Sequence, residues 1–141
     1  VAPDRFMTAI DALTGKTIWR SKRHQVRECV GISEDGKRIY VRCMTDTVVA
    51  FNSSASSPEE VWATHCGYGY DIDPSMPMER DGVVYFGTKN GLVFALDARS
   101  GAILWKHRIG VTIASTPVPL ENRCVIVSDL DGKISLLETR H

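Results

Sequence analysis

The 141-residue chain has no surplus of either charge, since seventeen Lys and Arg are balanced by seventeen Asp and Glu. Holding a nucleic acid through its phosphates needs a basic excess, so no nucleic-acid partner is expected. Long apolar runs are missing as well. Stretches such as Val83-Val84-Tyr85-Phe86 fall far short of the ~20 residues that a membrane-spanning helix requires, so no transmembrane segment is expected. No segment sustains a helical period, which removes bundles and coiled coils. Cysteine is sparse, and Cys29, Cys43, Cys66 and Cys124 include neither an adjacent pair nor a C-x-x-C unit. No metal or dithiol motif is therefore written into the chain. H-E-x-x-H, G-x-S-x-G and a phosphate loop are absent too. The chain opens at Val1 without an initiator Met or a charged-then-apolar leader, and its targeting information is expected to have been cut away.

What is present is a repeat. Trp19, Trp62 and Trp105 stand 43 residues apart, and each closes a similar phrase. The first runs Met7-Thr8-Ala9-Ile10-Asp11-Ala12-Leu13-Thr14-Gly15 to Trp19. The third runs Val93-Phe94-Ala95-Leu96-Asp97-Ala98-Arg99-Ser100-Gly101 to Trp105. The middle copy, Val48-Val49-Ala50-Phe51-Asn52 to Trp62, is degenerate, with a Ser-rich insertion from Ser53 to Ser57 in place of the Gly turn. A fourth copy, Asp131 to Leu137, carries no Trp. A period in the low forties built from short apolar runs and turns predicts one blade of four antiparallel strands per repeat.

The local pattern agrees. Gly82 to Gly87 is a β-branched and aromatic run, Lys89-Asn90-Gly91 reads as a hairpin turn, and Leu92 to Leu96 as the returning strand. Asp97 is predicted to cap the next turn, with Gly101 supplying a positive φ and Ile103-Leu104-Trp105 forming the outer strand. Val30 to Ser33 and Arg38 to Cys43 flank Glu34-Asp35-Gly36-Lys37, another hairpin.

The phrases Leu96-Asp97-Ala98-Arg99-Ser100-Gly101 with Trp105, and Ile10-Asp11-Ala12-Leu13-Thr14-Gly15 with Trp19, resemble the repeat of pyrroloquinoline-quinone-type propellers. Ser75-Met76-Pro77-Met78 and Ser115-Thr116-Pro117-Val118 resemble that family's inner strands. The resemblance implies an all-β fold, a partial β-propeller of roughly three blades of four-stranded antiparallel sheet. The family includes quinone-dependent dehydrogenases and cofactor-free binding propellers, such as the lipoprotein of the bacterial outer-membrane assembly machinery. A Trp-Asp-type propeller is disfavoured, because the tryptophans precede Arg20, Ala63 and Lys106.

Counting strands divides the chain into residues 1–25 as the end of a blade, 26–66 as a degenerate blade, 67–109 as a blade and 110–141 as an incomplete last blade. Propellers close with four to eight blades, so a C-terminal fragment of a longer protein is expected, its open strand edges prone to self-association.

Each Trp reads as a packing element between blades rather than a quinone platform. His24, His65 and His107 recur at about the repeat interval. Their offsets of five, three and two residues from the preceding Trp take the third off the shared strand face, against a metal ring. If Val30 pairs with Val41, Cys29 faces Arg42 rather than Cys43, so buried free thiols are expected. Arg20, Lys22, Arg23 and Arg27 read as a solvated basic edge on an outer strand. The segment Cys66 to Pro74 joins an outer strand to the next inner strand, and its Tyr68, Tyr70, Asp71 and Asp73 form the candidate binding loop.

No catalytic, cofactor or metal constellation is legible. The expected function is a non-catalytic binding or scaffold segment with a protein or small-ligand partner, placed in the periplasm or another extracytoplasmic space by resemblance alone. The alternative is part of an enzyme, either a quinone-dependent dehydrogenase or a propeller attached to an upstream catalytic domain, whose active site lies outside this segment.

Overall fold

Short β-branched and aromatic runs between Gly and Asx turns fold the chain into thirteen strands among the residues that the computed structural model describes, 4–54, 56–72 and 74–139. A two-stranded sheet pairs β1 (Met7–Ile10) with β2 (Thr17–Ser21). A four-stranded sheet follows from β3 (Val26–Ile32), β4 (Arg38–Cys43), β5 (Thr47–Asn52) and β6 (Glu60–His65). A second comprises β7 (Met78–Arg80), β8 (Val83–Gly87), β9 (Leu92–Asp97) and β10 (Ile103–Arg108). The last holds β11 (Val118–Leu120), β12 (Cys124–Ser128) and β13 (Ile134–Glu138). Every pair is antiparallel and joins strands consecutive in sequence. Among the described residues no helix is long and apolar enough to cross a membrane.

The middle strands read as continuous apolar runs because neighbouring sheets cover them on both faces. Along β8 every residue is buried, and along β5 the four central ones are. Tyr40, Val48 and Ala50 of one sheet pack on Val84, Phe86, Phe94 and Leu96 of the next. Val83, Tyr85, Val93 and Ala95 then meet Val125 and Val127, while Met7 meets Val26, Val41 and Phe51. The sheets therefore stack face to face as blades, with the apolar core lying between them.

The tryptophans join these blades. Trp62 donates from Nε1 to the Ala98 carbonyl of the following sheet at 3.0 Å, and Trp105 to Thr139 Oγ1 at 2.8 Å. A Cβ on Gly101 would fall 2.6 Å from the Trp62 ring, so glycine there answers both a close approach and a φ of +76°. Inner strands also approach closely: a Cβ on Gly31 would strike the Pro77 carbonyl.

The turns form as their residues dictate. Asp97 Oδ1 accepts from the Ser100 amide at 2.7 Å and hydroxyl at 2.6 Å, and Asp11 Oδ1 does the same with Thr14. In the degenerate copy Asn52 takes over, accepting from the Ser54 amide at 3.1 Å. The hairpin register matches the sequence reading, with Val30 opposite Val41 and Ile32 opposite Ile39.

Three local expectations need correction. The basic run is not one edge: Arg20 lies on outer strand β2, but Arg27 lies on β3 of the next sheet and is buried, because the chain crosses between blades at residues 22–25. His24 sits in that crossing rather than on a strand and contacts Glu60 Oε2 at 3.1 Å. His65 ends β6, paired with Asp46 at 2.9 Å. The cysteines are all free, as expected, and Cys29, Cys43 and Cys66 are buried, but Cys124 is partly exposed.

Candidate functional site

Two kinds of connection gather at one end of the sheets: the turns β4–β5, β8–β9 and β12–β13, and the crossings from one blade to the next. Backbone bonds stitch them together, from Cys66 N to Asp46 O at 2.7 Å, Ile113 N to Thr88 O at 3.0 Å and Leu130 N to Thr112 O at 3.0 Å. The longest crossing, residues 66–77, contains the candidate loop, and the structure splits its named residues into two groups.

Tyr68 and Asp71 point inward. Tyr68 is buried, edge-on to Phe86 and Phe94 at 5.9 and 6.0 Å, while those two phenyl rings stack at 5.1 Å. Burial pushes its phenol well above the ordinary tyrosine value. Arg42 lies over both Tyr68 and Phe86, its guanidinium carbon 5.3 and 5.1 Å from the ring centres. The same guanidinium pairs with Asp71 Oδ2 at 3.3 Å and donates to the Ser75 carbonyl at 3.0 Å. Asp71 also accepts from the Lys89 amide at 3.1 Å. Both partners are buried, so this is a desolvated ion pair that fastens the loop to β4 and to the β8–β9 turn. The two terminal nitrogens of the guanidinium are engaged within the fold, which makes the pair an anchor rather than an acid–base or ligand group.

The remainder of the loop is held by its backbone. Arg27 donates to Ile72 O at 2.8 Å, and Cys29 Sγ to Pro74 O at 2.9 Å. Ser75 Oγ accepts from the Gly87 amide at 2.9 Å. On this fixed frame Tyr70 and Ile72 stand outward, 57% and 55% exposed, with Lys89 Nζ 5.7 Å from the Tyr70 ring centre. Val111 and Leu130 are exposed in the connections of the next blade at the same end. Asp73 lies outside the described residues. Sequence reasoning missed Arg42, although an arginine within the apolar strand Arg38-Ile39-Tyr40-Val41-Arg42-Cys43 was the available signal.

Among the described residues no group of three His, Cys, Asp or Glu side chains is placed to hold a metal ion. A groove of about 410 Å³ lies beside Leu104, Trp105, His107 and Leu137, and one of about 330 Å³ beside Asp35, Arg38, Asn52 and Ser54.

Antiparallel four-stranded sheets, packed face to face in sequence order and crossed at one end, define a β-propeller segment. A computationally designed protein, Ika4, superposes with a TM-score of 0.80 at 15% identity, over 99% of this chain and 82% of its own. BamB from Moraxella catarrhalis superposes with a TM-score of 0.74 at 20% identity, over 98% of this chain and 46% of its own. At such identities these likenesses establish the fold alone.

Sequence places the chain further. The family model described as outer membrane protein assembly factor BamB matches residues 3–74 and 54–140, and the chain belongs to this family of pyrroloquinoline-quinone-like propellers. It is 34% identical to the outer membrane protein assembly factor BamB of Yersinia pestis over 74% of this chain and 28% of that protein. It is 27% identical to that of Moranella endobia (strain PCIT) over 90% of this chain and 35% of that protein. The chain thus spans about a third of the length of the curated relatives it matches.

Proposed function

We propose that the chain is a non-catalytic binding scaffold, one part of a larger propeller ring in an extracytoplasmic protein, and that loop 66–77 presents a contact surface to a protein partner. The observation that carries this reading is the division within the loop. Tyr68 and Asp71 anchor it, leaving Tyr70 and Ile72 exposed on a backbone held by Arg27 and Arg42. A preorganised loop loses little conformational freedom on association, and exposed aromatic side chains are favoured anchors at interfaces. Family membership supports an envelope location and a protein partner, since the curated relatives are named for assembly of outer membrane proteins. Their greater length supports a ring continued by further blades. In that ring residues 1–25, 26–66, 67–109 and 110–141 are proposed as successive blade units.

A photoreactive residue in place of Tyr70, compared with one at Lys37 on the opposite end of the sheets, tests the surface in source cells. Crosslinks to one envelope protein from position 70 and none from position 37 are expected. Equal labelling at both positions, or none at position 70 in a folded protein, would overturn the proposal.

A further inference from the structure

The middle repeat departs from the others at its β5–β6 turn. Asp11 and Asp97 accept from the residue three further on, whereas here an asparagine leads into the Ser-rich insertion. Asn52 Oδ1 accepts from the residue two further on, from the Ser54 amide at 3.1 Å and the Ser54 hydroxyl at 2.9 Å. The chain has three asparagines, and only this one has a serine or threonine at the second following position. Asn90 is followed there by Leu92 and Asn122 by Cys124. Asn-x-Ser, with x other than proline, is the acceptor pattern for N-linked glycan on a surface loop.

The turn holds this tripeptide at the surface in a fixed form. The Ser53 amide donates to Lys37 O at 3.0 Å and its hydroxyl to Gly36 O at 2.6 Å, which fastens the insertion to the β3–β4 hairpin. At its base the Asn52 amide donates to Glu59 O at 2.9 Å and Nδ2 to Glu59 Oε2 at 3.0 Å. Ser54, Ser56, Ser57, Pro58 and Glu59 are exposed. The groove of about 330 Å³ beside Asn52 is walled by Asp35, Lys37, Arg38 and Ser54, with Val61 as its aliphatic side. Carboxylate, ammonium, guanidinium and hydroxyl groups together can both donate to and accept from sugar hydroxyls.

We propose that Asn52 is a glycosylation site, carrying one N-linked oligosaccharide whose first sugar lies along this groove. The inference rests on the extracytoplasmic reading above. The donor is an oligosaccharide on a lipid pyrophosphate, joined to the chain by an oligosaccharyltransferase. Asn52 Nδ2 bonds to the anomeric carbon, the bond from that carbon to the pyrophosphate oxygen breaks, and the lipid pyrophosphate leaves with the electron pair. One Nδ2 proton passes to a carboxylate of the transferase, and nothing is oxidised or reduced. The Ser54 hydroxyl, donating to Oδ1, stabilises the charge that gathers on the amide oxygen as this proton is lost. Because the insertion is tied to Gly36 and Lys37, at the end of the sheets opposite loop 66–77, the glycan leaves the contact surface open.

The test is made on the natural protein isolated from its source cells. Peptide mass mapping is run before and after peptide N-glycosidase in heavy-oxygen water. A glycan mass on the peptide containing Asn52, replaced by heavy-labelled aspartate after the enzyme, is expected. Both signals should vanish in Asn52→Gln and Ser54→Ala and persist in Ser54→Thr. The two Ser54 variants keep the asparagine, so their difference reports the hydroxyl alone, and unchanged circular dichroism shows that they are folded. Unmodified Asn52 in protein recovered from the envelope would overturn the inference and leave the scaffold reading standing. Unmodified Asn52 in protein recovered from the cytoplasm would overturn both. A glycan that survives Asn52→Gln sits on another residue and would also overturn the inference.

Discussion

Trp62 and Ala98 are joined by a 3.0 Å hydrogen bond from the indole Nε1 to a buried backbone carbonyl, across the boundary between two sheets. The bond satisfies a carbonyl shut away from water, and the ring fills the space left by Gly101. Trp105 makes the corresponding bond to Thr139 one blade later. A residue that closes one blade is thereby the residue that binds the next.

Replacing Trp62 by Ala is expected to cost ~3–5 kcal/mol in urea unfolding, the range for truncating a buried aromatic. Trp62→Phe keeps most of the apolar contact and loses the donor, so a cost of about 1–3 kcal/mol is expected. Trp105 is less buried, and Trp105→Ala should fall at the low end of the truncation range.

Glycine substitutions separate conformation from contact. Gly15→Ala should cost only the left-handed backbone term, about 1–2 kcal/mol. Gly101→Ala adds a clash with the Trp62 ring and Thr64 hydroxyl, for about 1–3 kcal/mol more. Equal melting losses for the two variants would refute this division.

The Arg42–Asp71 pair fastens the exposed loop. Asp71→Asn leaves a buried guanidinium without its counter-charge, and a loss of ~3–5 kcal/mol is expected from breaking a pair of this kind. Hydrogen exchange at residues 70–72 should accelerate in the variant before the sheet amides do.

Stability should fall in acid through the turn aspartates. The Ser100 hydroxyl and amide bonds hold the Asp97 carboxyl below its usual range. A carboxylate with a depressed folded pKa adds stability that is complete above its unfolded value of 3.8 and is lost as pH falls through the lower folded value. Glu79 runs the other way. Burial raises its pKa, so its contribution is lost as pH rises from 4.5 through the folded value. Asp97→Asn should flatten the acid limb of Tm against pH, and Glu79→Gln the limb above it.

Thiol reactivity should follow burial. Burial pushes Cys43 and Cys66 up to about 12, so neither is a thiolate at neutral pH. Alkylation of the native protein at pH 8 should mark Cys124 first, with the other three labelled after denaturation, as peptide mass mapping would record.

The chain's periodicity was enough to determine the blade. Trp spacing, Asp-led turns and positive-φ glycines act within a few residues of one another, so the strands from Val83 to Trp105 and the hairpin around Gly36 were legible from the residues alone. Propeller stacking followed from the repeat, because each phrase leaves two apolar sheet faces to cover. The loop 66–77 was legible only as a loop. Two tyrosines and two acids on a Gly-containing segment look equivalent in sequence, yet Tyr68 and Asp71 are interior while Tyr70 is not. That sorting was decided by Arg42, 29 residues upstream of Asp71, whose guanidinium needs both a counter-charge and aromatic faces once β4 is buried. Local patterns set which way the backbone turns. Which side chain a turn buries depends on what the neighbouring blade brings against it, and only the tertiary structure contains that.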